Sequence, residues 1–249
     1  MTSSELHPLE SDSVLLIADI SGYTRFMLTN RTARVHAHGI VSDLLEAVSS
    51  AATPPLKVNK LQGDAVFLVG LKGPSDWDGT GTALGQRLTE FQTAFHRRLR
   101  DLAGSNICGC VACQSMVSLR LKLIGHYGTV VQSTVAGFTE VSGVDVIVLH
   151  RLLKNHVAGS EYILLTEEAF RFLKPAGSFR PHRETYEDVG EIQLQLLDLK
   201  SDAPPDAKPR FSIRDIGRKL AYDIRFWRSR NPHPVSASCV FLGLPLAAP

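Results

Sequence analysis

Leu15-Leu16-Ile17-Ala18-Asp19-Ile20-Ser21-Gly22-Tyr23-Thr24 runs apolar into a carboxylate and then into a glycine turn. Val14 to Ile20 reads as a strand covered on both faces. An ionised acid at the end of such a strand is costly unless it is paired or binds a cation. A second stretch, Lys60-Leu61-Gln62-Gly63-Asp64-Ala65-Val66-Phe67, sets another carboxylate on a glycine turn between two strand-like runs. Two such acids suggest one site for hard divalent ions, with oxygen ligands and room for phosphates. The plainer alternative is that each carboxylate caps a turn.

Four segments in order resemble the class III adenylyl/guanylyl cyclase catalytic domain. Ala18 to Thr24 is similar to the family's first-strand motif, and Lys60 to Ala65 to its Lys-x-x-Gly-Asp motif. Leu123-Ile124-Gly125-His126-Tyr127-Gly128-Thr129-Val130-Val131 resembles the glycine–histidine strand, and Glu140 to Leu152 matches the following helix motif in part. The resemblance spans residues 13–200. A Cys-x-Cys-x-x-Cys insertion at 108–113 and the run His150 to Asn155 point to a prokaryotic branch of the superfamily.

The resemblance implies an intramolecular phosphoryl transfer, in which a ribose 3′-hydroxyl attacks the α-phosphate and pyrophosphate leaves. It implies that Asp19 and Asp64, with Ile20 beside them, hold Mg²⁺ or Mn²⁺. Lys60 and Glu140 fall on the base-selecting positions, and Arg151 on the transition-state arginine. Backbone N–H groups around Gly22 and Tyr23 would meet a phosphate. A lysine donor and a carboxylate acceptor suit the edge of adenine, so ATP is favoured, CTP second, and GTP and UTP poor. Two departures weigh against turnover: Ile147 stands where the family has a helix asparagine, and Glu191 near its phosphate-binding lysine. His150 and Lys154 are candidates to replace the lost contacts. A catalytically degenerate fold that senses nucleotides or binds partners is therefore the rival reading. In the resembled arrangement two chains form a homodimer, with Asp19 and Asp64 from one and Lys60, Glu140 and Arg151 from the other.

The chain has 249 residues, 44% hydrophobic and 21% charged, enough for one full core. No run reaches the roughly 18 apolar residues of a membrane span, the first residues lack the pattern of a secretory signal, and a reducing cytoplasm fits the cysteines. Residues 206–230 carry eight Lys/Arg against three Asp. The remainder is net acidic and gives no reason to expect nucleic-acid binding. The sequence divides into a disordered 1–12, a cyclase-like domain at 13–200, a proline-rich linker at 201–210, and a basic amphipathic helix with an apolar tail at 211–249. That helix reads as a packing element, or as a contact with a membrane surface or protein through residues 211–230.

Alternation and punctuation predict an α/β (α+β) sandwich with a ferredoxin-like βαβ-βαβ core and extra hairpins. Strands are expected at 14–20, 56–61, 65–71, 117–125, 128–135, 162–165, 179–189 and 191–199. Helices are expected over 22–52 with a break near Asn30, around Leu84 to Leu99, over 144–157, and from Thr166. Gly73 to Gly81 reads as a loop. Val35, His38, Val41, Leu45 and Val48 mark the buried stripe of the first long helix.

Cys108, Cys110 and Cys113 form the second feature. Three thiols so close invite a soft metal, Zn²⁺ or an iron–sulfur cluster. Redox-sensitive thiols and purely structural cysteines are the alternatives. Cys239, His96 or His126 are the candidates for a fourth ligand, although His126 reads more simply as a core histidine.

Overall fold

The computed structural model describes residues 9–73, 77–104 and 110–199, and beyond them Gly217 alone. The elements are β1 (Leu9–Ser21), α1 (Tyr23–Thr29), a 3-10 turn (Arg31–Ala33), α2 (Arg34–Ser50), β2 (Leu56–Gln62), β3 (Ala65–Leu71), α3 (Trp77–Gln86) and α4 (Leu88–Gly104). They continue with α5 (Val111–Ser115), a 3-10 turn (Met116–Ser118), β4 (Arg120–Val135), β5 (Phe138–Ser142), α6 (Val144–Leu152), β6 (Tyr162–Thr166), α7 (Glu167–Leu173), β7 (Arg180–Tyr186) and β8 (Gly190–Asp198). One mixed sheet runs β2-β3-β1-β4-β6-β8-β7, with β5 paired to β4. Among the described strands, only β4 and β6 pair in parallel.

β1 lies in the middle of this sheet, and Val14 to Ala18 have no exposed surface. Alternate side chains enter two cores. Leu16, Ala18 and Ile20 pack with Phe26, Ile40, Leu44, Phe95 and Leu121, while Leu15 and Ile17 pack with Phe67, Ile124, Val148 and Leu149. That double burial explains the unbroken apolar run, since each fully buried Leu or Ile contributes about 1.5–3 kcal/mol. Among the described residues, α6 alone covers the second face, and the other helices lie on the first. Among the described residues the sheet is thus thickly covered on one side and lightly on the other.

Several expectations shift. β1 starts at Leu9, paired with Gln132, so residues 9–12 join the sheet rather than a disordered terminus. Trp77 to Gly81 is helical, and the apolar stripe from Leu84 to Leu99 divides between α3 and α4. The buried stripe of α2 is Ala37, Ile40, Val41, Leu44, Leu45 and Val48, and His38 is exposed.

The expected break between two strands at Gly125–Gly128 is absent, because β4 runs through it for 16 residues. Gly128 is there for space: a Cβ would lie 2.3 Å from the Asp145 carboxylate, which accepts the Thr129 N–H at 2.7 Å. β5 escaped the sequence reading because its hairpin turns on Ala136-Gly137, both at positive φ, and alanine is a poor advertisement for such a turn. α6 ends at Leu152, where Asn155 donates to the Leu152 carbonyl at 2.7 Å and accepts from Val157 N–H and the Tyr162 hydroxyl. No helix among the described residues is long and apolar enough to cross a membrane. The linker and the basic helix expected at 201–230 lie outside the described residues.

α3 presses so closely on the end of α7 that a Cβ at Gly85 would fall 1.8 Å from the Leu173 carbonyl oxygen. Backbone cannot yield as a side-chain tip can. Gly85→Ala is expected to cost about 1–3 kcal/mol despite alanine's better helix propensity. Urea unfolding that left the midpoint unchanged or raised it would show that the α3–α7 contact is not so tight.

Candidate functional site

The registers of four strands line up one row of side chains on the lightly covered face. Asp19 stands opposite Ala65 of β3 and Lys122 of β4, and Lys122 stands opposite Tyr162 of β6. The next row holds Lys60, Phe67, Ile17 and Ile124. Asp64 sits in the turn between β2 and β3, and its carbonyl accepts the Ile20 N–H at 3.0 Å, fastening that turn to the end of β1. The two motif carboxylates, far apart in sequence, thereby reach one end of the sheet and feel each other's charge.

Lys122 is the residue the sequence reading missed. Its ammonium lies 2.9 Å from Asp19 Oδ2, with side-chain exposures of 20% and 14%. Burial works against the lysine's charge, but the hydrogen bond and charge of Asp19, then Tyr162 and Asp64, hold its pKa above the ordinary value. The signal was a lysine in an otherwise apolar strand, Leu121-Lys122-Leu123-Ile124. Burial pushes the Asp64 carboxyl up, and the negative charge of Asp19 adds to it, against a backbone hydrogen bond and Lys122. Ile20 is buried and offers only its backbone.

Gly22 takes φ +87° ahead of α1, whose first N–H groups have no side-chain cap. Tyr23 opens that helix, partly buried against the first core.

Lys60 and Glu140, eighty positions apart, meet at 2.6 Å, each about a third or more exposed. The β4–β5 hairpin folds over β2, and Asn59 reaches the Thr139 carbonyl at 3.4 Å. His150 of α6 packs on Phe67, and burial and then Lys60 lower its pKa. Arg151 is ion-paired with Asp188 in the turn between β7 and β8. Arg151, Lys154, Tyr186, Glu187 and Asp188 line one cavity. The buried Tyr186 hydroxyl has no partner among the described residues, and burial, Glu184 and Tyr162 push its pKa up to about 12, so it remains a donor. Ile147 is 53% exposed on α6. Glu191 accepts from Gln193 at 2.6 Å and lies 3.7 Å from Arg183.

The cysteine segment goes elsewhere, to the thickly covered face. Cys110 and Cys113 are buried there and in no disulfide, while Cys108 and Cys239 lie outside the described residues. The residue that joins them is His36 of α2, with Nδ1 3.3 Å from Cys110 Sγ and 3.7 Å from Cys113 Sγ. Neither expected histidine does so. His96 binds Glu161, and His126, buried as a core histidine, lies 2.9 Å from both Thr166 Oγ1 and Asp145 Oδ1. His36 carried no sequence signal, since an isolated helical histidine 74 positions before Cys110 has no motif spacing.

The donor set at Asp19 and Asp64 fits a hard divalent ion. Two carboxylates and the main-chain oxygen of Ile20 are oxygen donors, and the pKa of Asp64 is raised first by burial and then by the charge of Asp19, both of which a bound cation would offset.

A family model described as "Protein of unknown function (DUF2652)" matches residues 41–162. The Mycobacterium tuberculosis (strain ATCC 25618 / H37Rv) protein named "Uncharacterized protein Rv2561/Rv2562" is 31% identical over 188 residues, 75% of this chain and 84% of that protein. Among solved structures, the adenylyl cyclase CyaB from P. aeruginosa superposes with a TM-score of 0.58 at 16% identity, over 79% of this chain and 99% of that one. The guanylate cyclase domain of RhGC from Catenaria anguillulae, in complex with GTP, does so at 0.55 and 16%, over 76% and 98%. The fold is that of the class III cyclase catalytic domain.

The Asp64 pKa sets a sign for stability. Between the ordinary aspartate value and the raised one, the folded chain keeps a proton that the unfolded chain has released. Stability therefore falls as pH rises through that window and levels off above it. In metal-free buffer at neutral pH, Asp64→Asn is expected to raise the thermal midpoint and flatten the decline. A midpoint below wild type would contradict a strained carboxylate.

Proposed function

The chain belongs to the family of the Mycobacterium tuberculosis protein Rv2561/Rv2562 and has the fold of the class III cyclase catalytic domain, and on that footing we propose that it converts a nucleoside triphosphate, ATP by preference, into a 3′,5′-cyclic nucleotide and pyrophosphate. The observation that carries this reading is the meeting of Asp19 and Asp64 at one end of the sheet, beside the cation of Lys122. Mg²⁺ or Mn²⁺ held by Asp19, Asp64 and the Ile20 carbonyl would supply Lewis-acid stabilisation of phosphate charge. In the reaction the 3′ oxygen bonds to the α-phosphorus, the bond to the bridging oxygen of pyrophosphate breaks, and the hydroxyl proton leaves to solvent.

The protein's own groups have distinct tasks. Lys122 holds Asp19 in place through their 2.9 Å ion pair. Lys60 retains donors beyond its bond to Glu140, and the second Glu140 oxygen still accepts, so the pair can read the N1 acceptor and N6 donor of adenine. Arg151 and Lys154 bring positive charge to the cavity that Tyr186 also lines, and compensate for the missing family lysine at Glu191.

A homodimer suits the exposed apolar residues. Val58 and Leu61 on β2, Val135 and Phe138 on the β4–β5 hairpin, and Val144 and Ile147 on α6 are all exposed. These are the same elements that carry Lys60, Glu140 and Arg151. Ile147 has on this view exchanged a polar role for a contact role.

A second reading has its own support. Asp19 is neutralised by Lys122 and Arg151 by Asp188, so the resting chain holds two of its charged groups in internal pairs. A fold that binds the nucleotide without turning it over would keep both pairs closed.

The deciding experiment incubates the protein with each nucleoside triphosphate and Mn²⁺ and seeks cyclic product by mass spectrometry. ATP is expected first, CTP second, with GTP and UTP disfavoured by about five- to a hundredfold, the cost of one unpaired polar group. Asp19→Ala and Asp64→Ala are expected to abolish product and Mn²⁺-dependent nucleotide binding. Binding without product would favour the second reading, and unchanged Mn²⁺-dependent binding in both variants would remove the metal site.

Sharing of sites between chains is checked by mixing. Asp19→Ala and Arg151→Ala homodimers are each expected to be inactive, and an equal mixture to regain about a quarter of wild-type activity, because half of the dimers carry one intact site of two. No recovery with heterodimers demonstrated would exclude a composite site.

A further inference from the structure

We propose that His36 Nδ1 and the Sγ atoms of Cys110 and Cys113 bind a single Zn²⁺ ion, which joins α2 to the segment that leads from α4 into β4. The proposal is independent of the nucleotide reading. The three donor atoms lie within 4.8 Å of one another. A tetrahedral zinc with bonds of about 2.3 Å to sulfur and about 2.05 Å to nitrogen requires sulfur–nitrogen edges of about 3.6 Å. The two edges observed, 3.3 and 3.7 Å, bracket that value.

The chemistry of the donors is as selective as their geometry. Two thiolates and an imidazole are a zinc set, and Mg²⁺ or Mn²⁺ would prefer the oxygens across the sheet. An iron–sulfur cluster would spread its protein ligands over two or more irons, whereas these three converge within one ion's reach. Cys110 and Cys113 are at most 2% exposed.

The surroundings hold the donors in place. Asn30 donates to the Phe26 carbonyl at 2.7 Å and to Ser115 Oγ at 3.2 Å, tying α5 to the junction of α1 and α2. Val111 and Ser115 close the short helix that carries Cys113 through a hydrogen bond at 2.7 Å. The ion would act structurally, by fixing the approach to β4, the strand that delivers Lys122 to Asp19. Three protein ligands leave one tetrahedral position for a further donor.

The experiment uses the full chain, purified under reductant and stripped with a chelator. Reconstitution with zinc is expected to give about one ion per chain by elemental analysis and to raise the thermal midpoint. Cobalt in place of zinc is expected to give thiolate-to-metal charge transfer in the near ultraviolet and the intense visible bands of a tetrahedral site. His36→Ala, Cys110→Ser and Cys113→Ser should each weaken zinc binding by more than about a hundredfold, beyond what loss of an outer-shell partner costs. His38→Ala, on the exposed side of α2, should leave it unchanged. The cobalt spectrum is read on the wild-type chain, so it decides the matter even if a cysteine variant fails to fold. Reduced protein that takes up no zinc, a cobalt spectrum without sulfur charge transfer, undiminished binding in His36→Ala, iron in place of zinc, or a reversible Cys110–Cys113 disulfide without metal uptake would each overturn the assignment.

Discussion

A negative charge at the end of a strand buried on both faces has to be answered, and the rest of the molecule is arranged around that answer. β1 cannot move Asp19 to water without breaking its pairing with β3 and β4. The reply comes from Lys122, directly opposite in register, whose own burial is offset chiefly by Asp19. Each member of such a pair is costly alone, which pins the register of β1 against β4 more firmly than packing alone would. The β2–β3 turn is drawn to the same point by the Ile20–Asp64 backbone bond, and it adds a second carboxylate where one was already crowded.

That crowding has a direction. Lys122 pairs with Asp19, while burial and then the charge of Asp19 raise the pKa of Asp64 against a backbone hydrogen bond and the more distant Lys122. A desolvated acid beside a second acid is the kind of group that functional sites retain at the expense of local stability.

The unequal covering of the two faces divides the chemistry. Oxygen donors, the Lys60–Glu140 pair and Arg151 all lie with the face that, among the described residues, α6 alone covers. Sulfur and imidazole donors lie among the helices of the other face. Hard and soft ligands are thus separated by the thickness of the sheet. The thick face is a closed core, and among the described residues the thin face leaves apolar side chains on α6, β2 and the β4–β5 hairpin exposed.

The sequence by itself determined the strand that ends in Asp19, the glycine turn of Asp64 and the order of the main strands and helices, because each is written in local periodicity and turn chemistry. It also marked Lys60, Glu140 and Arg151 as residues of interest, through resemblance to motifs that survive as short strings. It did not reveal β5, whose turn begins with an alanine, nor the uninterrupted course of β4, where Gly128 makes room for Asp145 rather than a bend. Only the tertiary structure decided that Lys122 answers Asp19, that Arg151 rests on Asp188, and that His36, not His96 or His126, stands with the cysteines. The reason is common to all three: a charge or a lone pair chooses its partner by distance in space, and strand register and helix packing set those distances between residues that no spacing rule connects.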